Sequence, residues 1–222
     1  ENTALLAEDV MLVKAYEHLN KINGSYLQTI LHLFNDTGRE VCEGQQYDMD
    51  FERLETVQFN EYLKMIELKT SVVIAASLKM GAILGGAGER NQNLLYEFGK
   101  KLGISFQVQD DYLDAFGDPG KFGKQPGGDI LANKKTFLLI YAHEVSSSSQ
   151  RKELRLLLEN NSPDKVQKIV QIYKDCKADD WAIELKDKYL DEALDHLEDI
   201  AVLSKRKEPL KELAHFLVRR DH

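Results

Sequence analysis

The chain has 222 residues, of which 43% are hydrophobic, 9% aromatic and 30% charged, as in an ordinary globular protein. Its 37 acidic and 29 basic side chains give a formal net charge of −8, which disfavours nucleic-acid binding as its main function. No apolar run approaches the roughly 20 residues that cross a bilayer. Because two cysteines are too few for a disulfide framework, we expect a cytoplasmic protein.

Low proline content and apolar residues at intervals of three and four predict an almost wholly helical chain. We expect the first helix to follow a cap at Asn2 or Thr3. Its apolar face carries Leu6, Val10, Val13 and Tyr16. A second helix is predicted over residues 25–41, and a loop over residues 43–56.

The rest of the chain continues this helical pattern. A third helix is predicted from residue 60 to residue 83, ended by Gly85 and Gly86. A fourth, capped by Asn91, should reach residue 116, and a loop should follow over residues 117–129. Further helices are predicted over residues 134–145 and, at the surface, over 151–160, from Pro163 after a Ser162 cap, over 180–203 and over 209–219. With no linker or repeat to divide it, residues 1–222 should form a single all-α domain.

The fourth predicted helix carries an acidic stripe beside its apolar one. The apolar stripe consists of Leu95, Phe98, Leu102, Phe106, Leu113 and Phe116. The acidic stripe consists of Gln107, Asp110, Asp111 and Asp114, and no basic residue lies three or four positions from Asp110 or Asp114 to relieve their repulsion. Three carboxylates without histidine or thiol suit Mg²⁺ shared with phosphate oxygens. A solvated acidic face is the alternative.

The predicted loop after this helix holds five of the 14 glycines and precedes Lys134, Lys135 and Thr136. It is not a P-loop, because Gln125 follows Lys124 where serine or threonine is needed. Its glycines nevertheless let backbone amides and the Lys124 ammonium approach an anion closely, although a plain surface loop is the alternative. Upstream, Lys69 and Thr70 interrupt an apolar helix, so the lysine either snorkels to water or meets a buried diphosphate oxygen.

Four motifs occur in a fixed order along the chain. They are Gly44-Gln45-x-x-Asp48, Lys69-Thr70, Phe106-Gln107-x-x-Asp110-Asp111-x-x-Asp114, and the glycine- and lysine-rich residues 117–136. In order and spacing they resemble the motifs of the trans-prenyltransferases, also called polyprenyl synthetases or isoprenyl diphosphate synthases. The resemblance covers essentially the whole chain and is strongest to the bacterial short-chain enzymes that make farnesyl or geranylgeranyl diphosphate.

The resemblance implies a fold, a reaction and a set of partners. The fold would be an all-α helical bundle of the isoprenoid-synthase type with a central active-site cavity. The reaction would join an allylic diphosphate head to tail with isopentenyl diphosphate, assisted by Mg²⁺, to give a short-chain polyprenyl diphosphate. A homodimer without nucleic acid or transmembrane segment is expected. No further cofactor is implied.

The resemblance also assigns roles to particular residues. Asp110, Asp111 and Asp114 match the second aspartate-rich motif, which holds Mg²⁺ on the allylic diphosphate. The same diphosphate would be contacted by Lys69, Lys124 and Lys134, together with Gln45 and Asp129. Thr70 and Gln107 would lie beside the developing carbocation, so the catalytic set would be Lys69, Thr70, Gln107 and Asp110.

This sequence departs from the family by lacking a first aspartate-rich motif and the paired arginines that follow it. We therefore expect it to correspond to the C-terminal two-thirds of a polyprenyl synthetase domain, with roughly 80 to 100 family residues preceding it. The 222 residues alone should then show little condensation activity. Two alternatives remain open: a noncatalytic regulatory subunit of a prenyltransferase, and a terpene cyclase of the same helical architecture.

Overall fold

The computed structural model describes residues 2–118, 126–160 and 162–219, and every regular element within these ranges is a helix. The predicted all-α fold class is therefore confirmed. The first half contains α1 (Asn2–Leu19), α2 (Gly24–Phe51), α3 (Phe59–Ile66), a π-helical turn (Glu67–Ser71), α4 (Val72–Leu84) and α5 (Glu89–Phe116). The second half contains α6 (Gly128–Leu131), α7 (Phe137–Val145), α8 (Ser148–Glu159), α9 (Lys165–Asp175), α10 (Ala178–Glu198) and α11 (Ser204–Arg219).

Helix α5 is the central element, and it packs between α4 and α10. It joins two hydrophobic cores. One core surrounds Val108 in its C-terminal half, and the other surrounds Phe98 in its N-terminal half; both side chains are fully buried. The acidic residues of α5 therefore lie on a helix that both cores hold in place along most of its length.

Helix α2 extends ten residues beyond its predicted end, because much of the expected loop over residues 43–56 is helical up to Phe51. Gly44 lies within this helix, although glycine weakens a helix interior. In the structure Gly44 is buried where α2 crosses the π-helical turn. A Cβ atom on it would come within 3.0 Å of the backbone of Leu68 and Lys69. The glycine thus serves close packing between elements and does not end the helix.

The third predicted helix exists, but the π-helical turn divides it into α3 and α4. The turn is packed on its other side by α5, where a Cβ on Gly103 would lie within 3.0 Å of Ser71 Cα. A π-turn adds one residue to a helical repeat and rotates the side chains that follow. Here it carries Lys69 and Thr70, the two residues that the apolar pattern had singled out.

Two predicted caps have other roles. Asn91 lies inside α5, which begins after Gly88, and its side-chain oxygen accepts a hydrogen bond from Ala201 N at 3.3 Å. Ser162 lies before a turn, and its hydroxyl donates to Asp164 at 2.6 Å, while α9 begins only after that aspartate. In both cases a side chain able to cap a helix bonds elsewhere.

The sequence predicted that the C-terminal helices lie at the surface, but several of them contribute to the core. Helix α10 buries Ala182, Leu185 and Ala193 and packs along α5. Helices α8 and α9 contribute Leu154 and Ile169 to the core around Val108. The many charged residues of these helices had suggested surface positions. Each helix nevertheless has one apolar stripe, and that stripe is buried.

Helix α1 shows the opposite behaviour. The side chains of its predicted apolar face, Leu6, Val10 and Val13, are 65%, 56% and 58% exposed. The helix contacts α2 near its C-terminal end, where Tyr16 packs edge-on against Phe34 with ring centroids 5.2 Å apart. No helix among residues 2–118, 126–160 and 162–219 is both long and apolar enough to cross a membrane.

We expect Gly103→Ala to lower the free energy of unfolding by about 1–3 kcal/mol, because the new methyl group must displace the backbone of the π-helical turn. The matched control is Gly38→Ala. Gly38 lies within α2 with nothing near its missing Cβ, so this change should raise stability by about 0.5–1 kcal/mol. Urea unfolding followed by circular dichroism measures both. Equal effects of the two substitutions would contradict the proposed close packing.

Candidate functional site

One pocket brings together most of the residues that the sequence predicted for the site. It lies where α2, α3, the π-helical turn and α5 meet the segment between α6 and α7. Its polar lining consists of Asp48, Glu52, Tyr62, Lys69, Thr70, Gln107, Asp110, Asp111, Asp114, Asp129, Lys134, Lys135 and Thr136. Phe51, Met65 and Ile66 supply its apolar lining.

Asp111 is the most buried carboxylate of this pocket, with 5% of its surface exposed. The Tyr62 hydroxyl donates a hydrogen bond to Oδ2, and Gln107 Nε2 donates to Oδ1 at 2.8 Å. Burial raises the pKa of Asp111 to about 7 although both hydrogen bonds lower it, and the neighbouring carboxylates of Asp129 and Asp110 raise it further. The ionised form of Asp111 is therefore costly at this position, and strongly shifted pKa values of this kind are typical of functional sites.

Asp114 joins α5 to the segment that returns toward the pocket. Its Oδ2 accepts a hydrogen bond from Asp129 N at 2.9 Å, and its backbone carbonyl accepts one from Gly127 N at 2.6 Å. Burial raises the pKa of Asp114, while the backbone hydrogen bond from Asp129 opposes the rise. The third aspartate of the motif therefore also fixes where the following residues enter the pocket.

Two of the three described lysines that line the pocket are each paired with a carboxylate. Lys69 Nζ lies 2.6 Å from Asp48 Oδ2, and Lys134 Nζ lies 2.5 Å from Asp129 Oδ1. Burial alone would lower the pKa of Lys134, but the hydrogen bond and the charge of Asp129 outweigh burial and raise it. The Lys134 ammonium thus stays positive, and both lysines are available to a ligand whose charge competes with these carboxylates.

A weaker polar contact joins the π-helical turn to the acidic stripe of α5. The Thr70 hydroxyl donates to Gln107 Oε1 at 3.4 Å, across the contact between the π-helical turn and α5. Gln107 in turn donates to Asp111. Its amide oxygen is therefore oriented by the same network that holds the buried carboxylate.

The structure does not bring every predicted residue to the pocket. Gln45 is exposed and lies one helical turn before Asp48, outside the pocket lining. Lys124 lies outside the described residues. The sequence missed Tyr62, which is 49 positions from its partner Asp111, and assigned no role to Lys135 or Thr136 although both follow Lys134 in the motif. A tyrosine among the apolar residues of the third predicted helix was the available indication.

The carboxylates fit a hard cation, because they offer oxygen ligands and, among the described residues, no thiol or imidazole lines the pocket. Within the described part of the chain, however, no three acidic, histidine or cysteine side chains come close enough together to enclose a metal ion. Asp111 is turned toward Tyr62, and Asp114 toward the backbone of Asp129. The residues therefore fit a cation held by one or two carboxylates and completed by water and phosphate oxygens, as is usual for Mg²⁺.

The protein is thus all-α, and its central helix contributes carboxylates to a pocket that also contains lysines and an apolar lining. The family model for polyprenyl synthetase matches residues 1–176, and the chain belongs to this family.

Relatives and solved structures agree with this assignment. A short chain isoprenyl diphosphate synthase of Methanothermobacter thermautotrophicus is 34% identical over 100% of this chain and 68% of the relative. A geranylgeranyl pyrophosphate synthase of Geoglobus acetivorans is 36% identical over 99% of this chain and 68% of its own length. The crystal structure of geranylgeranyl pyrophosphate synthetase from Pyrococcus horikoshii matches with a TM-score of 0.92 at 31% identity, over 99% of this chain and 68% of that one. The chain thus spans about two-thirds of the length of these relatives.

We expect Tyr62→Phe to lower the free energy of unfolding by about 1–3 kcal/mol, because it removes a donor from the buried Asp111 carboxylate. Tyr16→Phe is the matched control. It removes an equivalent hydroxyl that bonds Asn35 at the surface, and should change stability by no more than about 0.5 kcal/mol. Chemical denaturation of both variants tests the comparison. A Tyr62 variant as stable as the control would show that this hydrogen bond does not support the carboxylate.

Proposed function

We propose that the protein is a prenyltransferase that condenses an allylic diphosphate with isopentenyl diphosphate to give a short-chain polyprenyl diphosphate. The observation that carries the proposal is the pocket itself. In a chain of the polyprenyl synthetase family, it gathers the aspartates of α5, Lys69 and Lys134 around one space with an apolar lining. This arrangement suits a ligand with a polyanionic head and a hydrocarbon tail.

The reaction would begin with loss of the diphosphate from the allylic substrate. Lys69 and Lys134 would exchange Asp48 and Asp129 for diphosphate oxygens. Asp110, Asp111 and Asp114 would supply the one or two carboxylates that hold Mg²⁺, which when bound offsets the charge that develops on the leaving group. The carbon–oxygen bond breaks and leaves an allylic cation. Lys124 would join the lysines by its place in the motif.

The cation would then be captured by the second substrate. The double bond of isopentenyl diphosphate supplies the electron pair for the new carbon–carbon bond, and loss of a proton restores a double bond. The Thr70 hydroxyl and the amide oxygen of Gln107 would stabilise the positive carbon, because their dipoles are already oriented by mutual contact. Phe51, Met65 and Ile66 would keep water from the cation. No nucleophile on the protein is needed.

The assembly and location of the protein are further parts of the proposal. We propose a homodimer, since α1 exposes Leu6, Val10 and Val13 and burial of such a face is favourable. A cytoplasmic location accords with Cys42 and Cys176, which are both free thiols. Gln45 would contribute to diphosphate binding only through a partner or ligand that reaches beyond the pocket lining, because its side chain is exposed.

The first test is Mg²⁺-dependent binding of inorganic pyrophosphate, measured by titration calorimetry. Asp110→Ala should weaken binding at least tenfold, since Asp110 lies on the pocket wall and is assigned to the cation. Asp191→Ala, which removes an exposed aspartate from α10, is the matched control and should bind as the original protein does. Unchanged binding by Asp110→Ala would refute the assigned site.

The second test separates prenyl transfer from cyclisation. In a protein that also carries the first aspartate-rich motif, incubation with geranyl diphosphate, labelled isopentenyl diphosphate and Mg²⁺ should give labelled products longer by five carbons per condensation. The 222 residues alone should give little product. Product analysis by chromatography after dephosphorylation reads out chain length. A cyclic hydrocarbon made without incorporation of label would identify a terpene cyclase. Pyrophosphate binding without any product would identify a noncatalytic subunit.

A further inference from the structure

Lys165 is a buried cation that the proposed reaction does not use. It is the first residue of α9, and its exposed fraction is 0%. Its Nζ donates a hydrogen bond to Asn133 Oδ1 at 2.8 Å, so this ammonium group meets a neutral amide. Burial lowers the pKa of Lys165. Because a buried charge with a neutral acceptor is costly, its position calls for a physical reason.

The backbone of Asn133 is left-handed, with φ of +54°, a conformation that residues other than glycine rarely adopt. Its side chain is held from two directions. Nδ2 donates to the carbonyl of Leu158 near the end of α8 at 3.1 Å, and Oδ1 accepts from Lys165 at the start of α9. These two hydrogen bonds fix the rotation of the side chain and favour the left-handed backbone.

The backbone direction at Asn133 determines where the next residues point. Lys134 N donates to the carbonyl of Asp129 at 3.0 Å, which closes the segment back on itself. Lys134, Lys135 and Thr136 then line the pocket in succession. A change at Asn133 would therefore move three pocket residues together.

The other end of this segment rests on the same helix. Gly127 has φ of +90°, and a Cβ on it would come within 3.0 Å of the side chain of Val166, the neighbour of Lys165. Consecutive residues of α9 thus support both ends of residues 127–133. The first turn of α9 acts as a rigid support for the segment that carries the lysines.

We propose that Lys165 is a positioning residue, which acts through Asn133 to aim Lys134, Lys135 and Thr136 at the diphosphate. The inference rests on the proposed function for its ligand. Lys165 itself does not line the pocket, so it would act only through its neighbours. Its charge strengthens the hydrogen bond to Asn133, since hydrogen bonds from ionised donors are about twice as strong as neutral ones.

A double-mutant cycle tests this role, with Mg²⁺-dependent binding of inorganic pyrophosphate as the readout. Lys165→Met keeps the length and burial of the side chain but removes the donor, and should weaken binding about tenfold. Lys168→Met, on the same helix at an exposed ion pair with Asp164, is the matched control and should leave binding unchanged. Urea titration of each variant establishes that the measurements are made on folded protein.

Asn133→Gly supplies the second arm, because glycine accepts the positive φ and removes the side chain that Lys165 holds. If Lys165 acts through Asn133, adding Lys165→Met to Asn133→Gly should change affinity by less than twofold. A general loss of stability would instead weaken binding by the same factor in both backgrounds. Such additivity, or a Lys165→Met protein with unchanged affinity, would overturn the proposal.

The remaining outcomes also decide the question. If Lys165→Met does not fold, the affinity of Asn133→Gly for pyrophosphate tests the proposal alone. Unchanged affinity in that variant would show that the side chain of Asn133 does not position the pocket lysines. If the original chain binds no pyrophosphate, both the proposed function and this inference fail. Normal binding by the original protein together with unaffected variants contradicts the inference alone.

Discussion

The close packing of the π-helical turn between α2 and α5 is the constraint on which the pocket depends. Gly44 meets the turn from one side and Gly103 from the other, at distances that leave no space for a methyl group. Interiors as dense as this transmit small displacements. Because Lys69 and Thr70 lie within the turn, the two glycines determine how far the turn stands from the acidic face of α5, and therefore the width of the pocket between them.

The same packing explains how α5 can carry buried acidic residues. Asp111 is desolvated and close to other carboxylates, so its ionised form is penalised. The hydroxyl of Tyr62 and the amide of Gln107 offset part of that penalty. Gln107 lies on α5 about one turn after Gly103, and Tyr62 lies on α3, which leads directly into the π-helical turn. The net charge of −8 therefore includes carboxylates kept at an energetic cost, as expected where function and stability conflict.

Local patterns in the sequence predicted the helices well, because an apolar periodicity of 3.6 residues is a property of each segment alone. They could not predict the end of α2, since Gly44 weakens a free helix yet is required by a neighbour that lies 25 positions away, at Lys69. The π-helical turn was also missed, because one extra residue hardly alters an apolar pattern. Motif order brought together Lys69, Gln107 and the aspartates. The contact of Tyr62 with Asp111 depends on tertiary packing, and a tyrosine in an apolar helix does not by itself specify a partner 49 positions away.

The ion pairs of the pocket link binding of the diphosphate to binding of the cation. Lys69 and Lys134 are each paired with a carboxylate, so a diphosphate that takes either lysine leaves Asp48 or Asp129 without its partner. Because the Lys69 and Lys134 side chains are 36% and 54% exposed, solvent screening limits each pair to about 0.2–1 kcal/mol. The released carboxylates would add to the negative charge of α5 and of the ligand itself. On the proposed function, cation and diphosphate should therefore bind cooperatively, because each reduces the charge imbalance that the other creates.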